Sequence, residues 1–120
     1  MLCSLLKSKI HGAKVTDSNI DYEGSLTIDR DLMDTVKLLP YEKILVANMA
    51  NGNRFETYAI PGKPGSGVIC LNGATAHLGA AGDRLTIFAF CMLSHDQVTG
   101  HRPLIVRVDD RNRPGKILDI

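Results

Sequence analysis

The chain has 120 residues, of which 14 are basic and 13 acidic, and a net charge of +1. This length fits one domain, and 44% hydrophobic with 22% charged residues indicates a globular chain rather than a disordered one. An aromatic content of 5% with no Trp argues against nucleic-acid binding, which needs a basic stripe with stacking residues beside it. Because a single small domain buries only a modest fraction of its surface, we expect an oligomer.

Cysteine usage and hydropathy favour the cytoplasm. The three cysteines, Cys3, Cys70 and Cys91, lie far apart and match no C-x-x-C pattern, so we interpret them as reduced core residues. No apolar run approaches the ~20 residues of a bilayer span, and we predict no membrane partner. The N-terminal MLCSLLKSKI is too short and too charged at its end for a signal peptide, and we predict the first strand there.

The stretch YEGSLTID combines a predicted strand, Ser25 to Ile28, with a Gly24-Ser25 pair at its mouth. On local grounds this pair is either a turn or a reactive bond. One helix is predicted next, with Asp29 or Asp31 as its N-cap and Pro40 as its end. Its apolar stripe at helical spacing comprises Leu32, Met33, Val36 and Leu39.

The rest of the chain predicts strands separated by turns. EKILVANM and NRFETYAI flank Asn51-Gly52, which is a strong hairpin signal between two apolar runs. The turn-rich PGKPGSG follows, and after it come VICLN, a glycine- and alanine-rich segment from Gly73 to Gly82, RLTIFAFCML, PLIVRVDD and KILDI. Seven or so strands, mostly apolar on both faces, with one helix predict a small closed barrel.

Several common catalytic and metal-binding motifs are absent from the sequence. It contains no G-x-S-x-G, H-E-x-x-H or Walker pattern. The four histidines lack ligand-like spacing, so we predict no metal site; they are His11, His77, His95 and His101. Asp109-Asp110 is more simply a solvated strand end than a carboxylate dyad.

Three linked motifs resemble the pyruvoyl-dependent aspartate 1-decarboxylases. KIHGAKVTDSNIDYEGSLTID is similar to the family's K-x-H-x-A/V-x-V-T followed by Y-x-G-S. NGNRFETYAI resembles N-G-x-R-F-x-T-Y-x-I, and CLNGATAH resembles the family's N-G-A-A-A segment. The similarity runs from Met1 to about Ile105, in order and with matching spacing.

The resemblance implies a mainly β fold, namely a small closed six- to seven-stranded double-psi β-barrel with one or two short helices. It implies a single domain, residues 1–120, that cuts itself between Gly24 and Ser25 into a β chain (1–24) and an α chain (25–120). It also implies a homotetramer with active sites between neighbouring subunits. Whether cleavage needs a helper protein stays open.

The same resemblance implies the chemistry of cleavage. The Ser25 hydroxyl would attack the Gly24 carbonyl, where glycine tolerates an unusual backbone. Thr57 would hydrogen-bond the developing oxyanion and contact the substrate. Ser25 would become a covalent pyruvoyl group, the Schiff-base site for the substrate amine, with neither metal nor pyridoxal phosphate.

The implied reaction converts L-aspartate to β-alanine and CO₂ for pantothenate and coenzyme A synthesis. Arg54 would bind the retained carboxylate, and Tyr58 would donate the proton to the carbanion. The remaining implied roles are extra positive charge from Lys9, substrate contacts from Asn72, Gly73, Ala74 and Thr75, and positioning by His11 and Tyr22.

Two features of the motifs leave alternatives open. Arg54 and Tyr58 share a strand face and could be a surface pair, while Thr57 would point the other way unless a bulge, a strand end or shared sites intervene. Position 56 is Glu where the family usually has Ser, and position 75 is Thr where Ala is commoner. The alternative function is a non-catalytic double-psi β-barrel that serves as a binding or assembly module.

Overall fold

The computed structural model describes residues 1–119, so Ile120, the end of the predicted strand KILDI, lies outside the described part. Nine strands, two short α-helices and one 3₁₀ turn follow one another along these residues. In chain order they are β1 (Leu2–Lys14), β2 (Asp17–Asn19), β3 (Ser25–Asp29), α1 (Arg30–Thr35), β4 (Lys43–Asn48), β5 (Arg54–Gly62), β6 (Ile69–Asn72), the 3₁₀ turn (Gly73–His77), β7 (Arg84–Ser94), α2 (His95–Val98), β8 (Leu104–Val108) and β9 (Pro114–Ile117).

All nine strands form one mixed sheet in the order β2-β6-β3-β5-β4-β7-β1-β8-β9. The mainly β class and the short helices are confirmed. Nine strands are present where a barrel of six to seven was predicted, and the short strand β2 is the one that carried no apolar signal. The pairing is that of an open sheet with β2 and β9 at its edges, so closure into a barrel is not observed within residues 1–119.

One hydrophobic core is built from residues of the strands and of helix α1. In β4 buried residues alternate with more exposed ones: Ile44 and Val46 are buried, whereas Lys43 is exposed. Burial in β4 thus follows a period of two, whereas β3 and β7 contain consecutive buried residues, as expected for strands covered on both faces. The cysteines are free but only half-buried, so they lie at the margin of the core rather than inside it.

Helix α1 begins where the sequence predicts and ends earlier. The Asp29 side chain caps it, accepting the amide of Asp31 at 2.8 Å. It ends at Thr35 because Lys37 adopts a left-handed conformation (φ 57°), and the Leu38 amide then donates to the Met33 carbonyl at 2.8 Å.

This C-terminal turn decides which residues of the predicted stripe are buried. Leu38 is 3% exposed after the chain reverses, whereas Leu39 is 61% exposed. Leu39 is thus wrongly predicted as a core residue, and Pro40 lies beyond the helix rather than at its end. None of the helices in residues 1–119 is long and apolar enough to cross a membrane.

The Asn51-Gly52 hairpin is confirmed. β4 and β5 pair antiparallel in an unbroken register from Lys43 opposite Tyr58 to Ala47 opposite Arg54, and Gly52 takes the left-handed conformation of the turn (φ 78°). This hairpin fixes the relative positions of every candidate residue on β5.

Candidate active site

Ser25 is buried although it directly follows an exposed segment, residues 20–24. It is the first residue of β3 and pairs with Asn72 at the end of β6. Because Leu26 and Ile28 point into the core, alternation turns Ser25 and Thr27 to the other side of the strand. Ser25 is nevertheless only 1% exposed.

The Asn72 side chain lies at the centre of the residues packed around Ser25, the serine pocket. Its amide nitrogen donates to Ser25 Oγ at 2.9 Å and to Thr27 Oγ1 at 2.8 Å, and its Oδ1 accepts the thiol of Cys70 at 3.3 Å. Burial, with a smaller contribution from the nearby charge of Asp17, raises the pKa of Cys70, which keeps this thiol protonated as a donor. Since Ser25 Oγ accepts from Asn72, its own hydrogen is available to another acceptor.

Gly73 packs against the backbone of the Gly24-Ser25 junction. It has a left-handed conformation (φ 61°), and a Cβ at this position would lie 2.7 Å from the Tyr22 carbonyl oxygen and 2.8 Å from Gly24 Cα. At Gly24 a Cβ would meet open space, and Gly24 is not among the residues with positive φ. The glycine whose missing side chain the junction requires is therefore Gly73, and Gly24 does not have the left-handed φ that favours glycine.

The 3₁₀ turn brings a second hydroxyl close to Ser25. Thr75 Oγ1 donates to the Asn72 carbonyl at 2.7 Å and lies 3.4 Å from the Ser25 carbonyl oxygen. Thr75 is buried, whereas Ala74 is exposed on the opposite side of the turn. Of the predicted contact segment, Asn72, Gly73 and Thr75 thus meet Ser25 or its neighbours, and Ala74 points outward.

Lys9 and Arg54 form a separate cationic group around Phe88. The Lys9 ammonium lies 5.5 Å from the centre of the Phe88 ring, and the Arg54 guanidinium carbon lies 5.7 Å from it. These distances are typical of cation–π contacts. Among residues 1–119 neither cation forms an ion pair, since the ion pairs found there involve Lys7, Arg30, Lys43 and Arg84. Both cations are thus available to an anionic group.

Strand β5 separates Thr57 from Arg54 and Tyr58. Arg54, Glu56 and Tyr58 are exposed, and Thr57 is half-buried on the inward face. The unbroken β4–β5 register contains no bulge, which removes one of the explanations offered for Thr57. Glu56 points away from Thr57, as expected, and is 2.8 Å from the Lys43 ammonium.

Tyr58 lies close to Ser25 in the sheet, and Arg54 lies far from it. Leu26 of β3 pairs with Ala59 of the parallel strand β5. Ser25 and Tyr58 directly precede this pair on their strands and are therefore neighbours in the sheet. Four residues of strand separate Arg54 from Tyr58, which corresponds to about 13 Å. Within one chain, the serine pocket and the cationic group are therefore distinct.

The two predicted positioning residues behave differently. His11 lies on β1 opposite Thr86, on the same outward face as Lys9. The Tyr22 side chain is 53% exposed, and it is the Tyr22 carbonyl oxygen that lies against Gly73. The pocket thus contacts the backbone of position 22.

Three residues that contact the candidate site residues were not predicted from the sequence, namely Thr27, Cys70 and Phe88. Thr27 was detectable, because it lies two residues after Ser25 on the same strand face. Cys70 and Phe88 gave no signal, since each lies in an apolar run with nothing to indicate which strand would be its neighbour. In residues 1–119 no group of three or more His, Cys, Asp or Glu side chains is arranged to hold a metal ion.

Fold and site together define a mainly β protein with a buried serine at a Gly-Ser bond and, on one sheet face, two cations that form no ion pair within residues 1–119. A family model described as aspartate decarboxylase matches residues 1–115, which extends past Ile105, where the resemblance ended. The chain belongs to this family.

Relatives named aspartate 1-decarboxylase are similar over almost the whole chain. The protein of Syntrophobacter fumaroxidans is 54% identical over 110 residues, 92% of this chain and 89% of its own length. Those of Caldicellulosiruptor saccharolyticus and Clostridium acetobutylicum are each 51% identical, covering 98% and 93% of this chain and 91% and 88% of their own lengths.

Proposed function

We propose that this chain is the precursor of an enzyme that decarboxylates L-aspartate to β-alanine and CO₂, after cutting its own backbone between Gly24 and Ser25. The observation that carries the proposal is the buried Ser25 hydroxyl, held by Asn72 at a Gly-Ser bond in a member of the aspartate decarboxylase family. β-Alanine made in this way would supply pantothenate synthesis in the cytoplasm.

Self-cleavage would begin with attack of Ser25 Oγ on the Gly24 carbonyl carbon. The peptide C–N bond breaks as the new C–O bond forms, which leaves an ester and a free amine. The hydrogen bond from Asn72 supports this role because it orients the hydroxyl oxygen. Thr57 stays a proposed donor to the oxyanion. Because its strand position faces inward, either the Gly24-Ser25 junction moves toward it or Thr57 of a neighbouring subunit supplies the hydrogen bond.

The ester would then be opened by elimination. Loss of the Ser25 α-proton expels the Gly24 carboxylate and leaves a dehydroalanine at position 25. Hydrolysis by one water then replaces the nitrogen of this residue with oxygen and releases ammonia. The chain thus divides into residues 1–24 and 25–120 with a pyruvoyl group at position 25. The small piece would stay attached, because β1 pairs with both β7 and β8.

The residues around position 25 fit such a group. Its amide carbonyl would be the present Ser25 carbonyl, which already has the Thr75 hydroxyl 3.4 Å away, and the Asn72 amide lies on the side of the present Ser25 Oγ. A pyruvoyl group bound there would supply an electron sink for the departing carboxylate. The chain's own residues would orient the substrate and supply the proton.

Arg54 and Lys9 are the proposed partners of the substrate carboxylate that is retained. A guanidinium matches a carboxylate in planar, two-bond geometry, and Lys9 adds a second positive charge across the Phe88 ring. Tyr58, beside Ser25 in the β3–β5 register, is the proposed proton donor to the product carbanion. Asn72, Gly73, Ala74 and Thr75 are the proposed substrate contacts, with His11 and Tyr22 in positioning roles.

A homotetramer with shared sites would bring the two groups together. The outward face that carries Lys9, Arg54 and Phe88 continues into exposed apolar side chains, since Phe90 stacks on Phe88 with ring centres 6.4 Å apart, and Met92 and Leu2 are 59% and 62% exposed. Exposed apolar surface of this kind is typical of a protein interface. We propose that the curved sheet closes as the family's double-psi β-barrel within such an assembly, as a single domain of residues 1–120.

Intact-mass measurement of the purified full chain tests the proposal. We expect two pieces, residues 1–24 and 25–120, with the larger lighter by one ammonia than a serine-initiated chain. β-Alanine should form from L-aspartate. The Ser25→Ala variant should stay uncut and inactive, and its thermal unfolding should match that of the precursor. A single uncut species with no β-alanine after long incubation would support the binding or assembly module instead.

A further inference from the structure

The outward face of β5 places a negative charge between two residues of the proposed site. Arg54, Glu56 and Tyr58 alternate along one side of the strand, and Arg54 and Glu56 are therefore about 7 Å apart at their Cα atoms. Both side chains are long enough to meet across that distance. An Arg54–Glu56 ion pair would occupy the guanidinium that the substrate carboxylate needs.

Glu56 is instead held from the neighbouring strand. Its carboxylate lies 2.8 Å from the Lys43 ammonium, and the two strands are fixed by the β4–β5 register, in which Lys43 stands opposite Tyr58. Lys43 thus approaches Glu56 from the side away from Arg54, whose partner on β4 is Ala47. The Arg54 guanidinium rests over Phe88.

Lys43 and Glu56 also border a cleft on this face. The cleft has a volume of about 490 Å³, and Leu45 and Phe90 form part of its wall. A charge released from the ion pair would therefore lie beside open space rather than inside the core. Its effect would fall on an anion that approaches this face.

We propose that Lys43 is a positioning residue for substrate binding: it holds Glu56 and so keeps Arg54 free for a dicarboxylate. The inference rests on the proposed function, because it assigns Arg54 to the substrate carboxylate. Lys43 stands opposite Tyr58 in the β4–β5 register, but its ammonium is held by Glu56, and within residues 1–119 no hydrogen bond joins it to Ser25 or Tyr58. Its loss should therefore weaken substrate binding without slowing the chemical step.

The first experiment compares Lys43→Met with the parent enzyme after self-cleavage. We expect KM for L-aspartate to rise about two- to fivefold, the range that exposed ion pairs give, with kcat changed by less than about twofold. Lys43→Arg, which preserves the ion pair, should keep the parental KM. An unchanged KM in Lys43→Met would overturn the inference.

Removal of the Glu56 carboxylate distinguishes a role of Lys43 in substrate binding from a role in stabilising the sheet. In the Lys43→Met background, Glu56→Gln should restore KM to the parental value, and Glu56→Gln alone should not raise it. If the ion pair acted only by stabilising the sheet, Glu56→Gln alone would weaken binding as much as Lys43→Met does. That outcome would also overturn the inference.

Succinate binding provides a readout that does not depend on turnover. Succinate carries two carboxylates and no amine, and calorimetric titration of the same five proteins should show the same pattern in Kd. A parent chain that binds succinate but makes no β-alanine would refute the proposed function, and the Lys43→Met and Glu56→Gln titrations would still decide the role of Lys43.

Discussion

Asn72 lies directly opposite Ser25 in the antiparallel pair of β3 and β6, and its one amide nitrogen holds the hydroxyls of both Ser25 and Thr27. The contact joins residues 47 positions apart in the chain. It gives the serine at the Gly-Ser bond a defined direction before any covalent change. The self-cleavage step should therefore be sensitive to this one amide.

Asn72→Ala should slow self-cleavage by up to about a hundredfold, the penalty that misplacement of a reacting group can carry. The buried Ser25 hydroxyl and the half-buried Thr27 hydroxyl lose their donor, and the free energy of unfolding should fall by about 1–3 kcal/mol. Intact-mass spectra taken over time give the cleavage rate. Asn51→Ala is the matched control, because it also removes two side-chain hydrogen bonds of an asparagine, at the exposed β4–β5 turn. Equal cleavage rates in the two variants would rule out an orienting role for Asn72.

Gly73→Ala should impair cleavage through the backbone. The new Cβ would overlap the Tyr22 carbonyl oxygen and Gly24 Cα, so the junction must shift, and a left-handed alanine itself costs about 1–2 kcal/mol. Gly52→Ala has the same left-handed penalty with no atom within 4 Å of the new Cβ. Both variants should lose stability in urea unfolding, but only Gly73→Ala should cleave slowly. A slow Gly52→Ala would show that lost stability alone explains the effect.

Arg54→Lys should raise KM for L-aspartate about tenfold while self-cleavage proceeds at the parental rate. The ammonium keeps the charge but loses the planar pair of donors that matches a carboxylate. Steady-state kinetics on the cleaved protein measures this. Arg102→Lys, an exposed change before β8, is the control. Slower cleavage in Arg54→Lys would place Arg54 in the processing step as well.

Asp83 should make stability depend on pH at the acid end. Hydrogen bonds from the Asn48 side chain and the Ala80 amide, at 3.0 and 2.9 Å, hold the pKa of Asp83 below its usual value. The stabilisation is thus fully present above the ordinary Asp pKa of about 4 and is lost as the pH falls through the lower folded value.

Asp83→Asn should therefore cost about 1 kcal/mol near neutral pH. The difference from the parent should shrink toward zero as the pH falls below the folded pKa of Asp83. Urea unfolding at a series of pH values measures both quantities. A difference that stays constant down to the acid limit would assign the loss to packing rather than to the carboxylate charge.

Patterns within a few residues of one another determined the local structure. The Asn51-Gly52 turn fixed the β4–β5 hairpin, and alternation put Arg54 and Tyr58 on one face and Thr57 on the other. The sequence offered Asp29 or Asp31 as the N-cap of α1, and the structure has Asp29. The ordered motifs also determined the family. These features follow from the sequence because each depends on neighbours two to four positions away.

Only the tertiary structure decided which distant segments meet. The strand order β2-β6-β3-β5-β4-β7-β1-β8-β9 puts Asn72 beside Ser25 and Phe88 between Lys9 and Arg54. The tertiary structure also decides where α1 ends: the helix stops at Thr35, and the turn at Lys37 lets Leu38 reach the core. The physical reason is that strand pairing is chosen by the burial of one shared core. No single apolar run encodes its own neighbour.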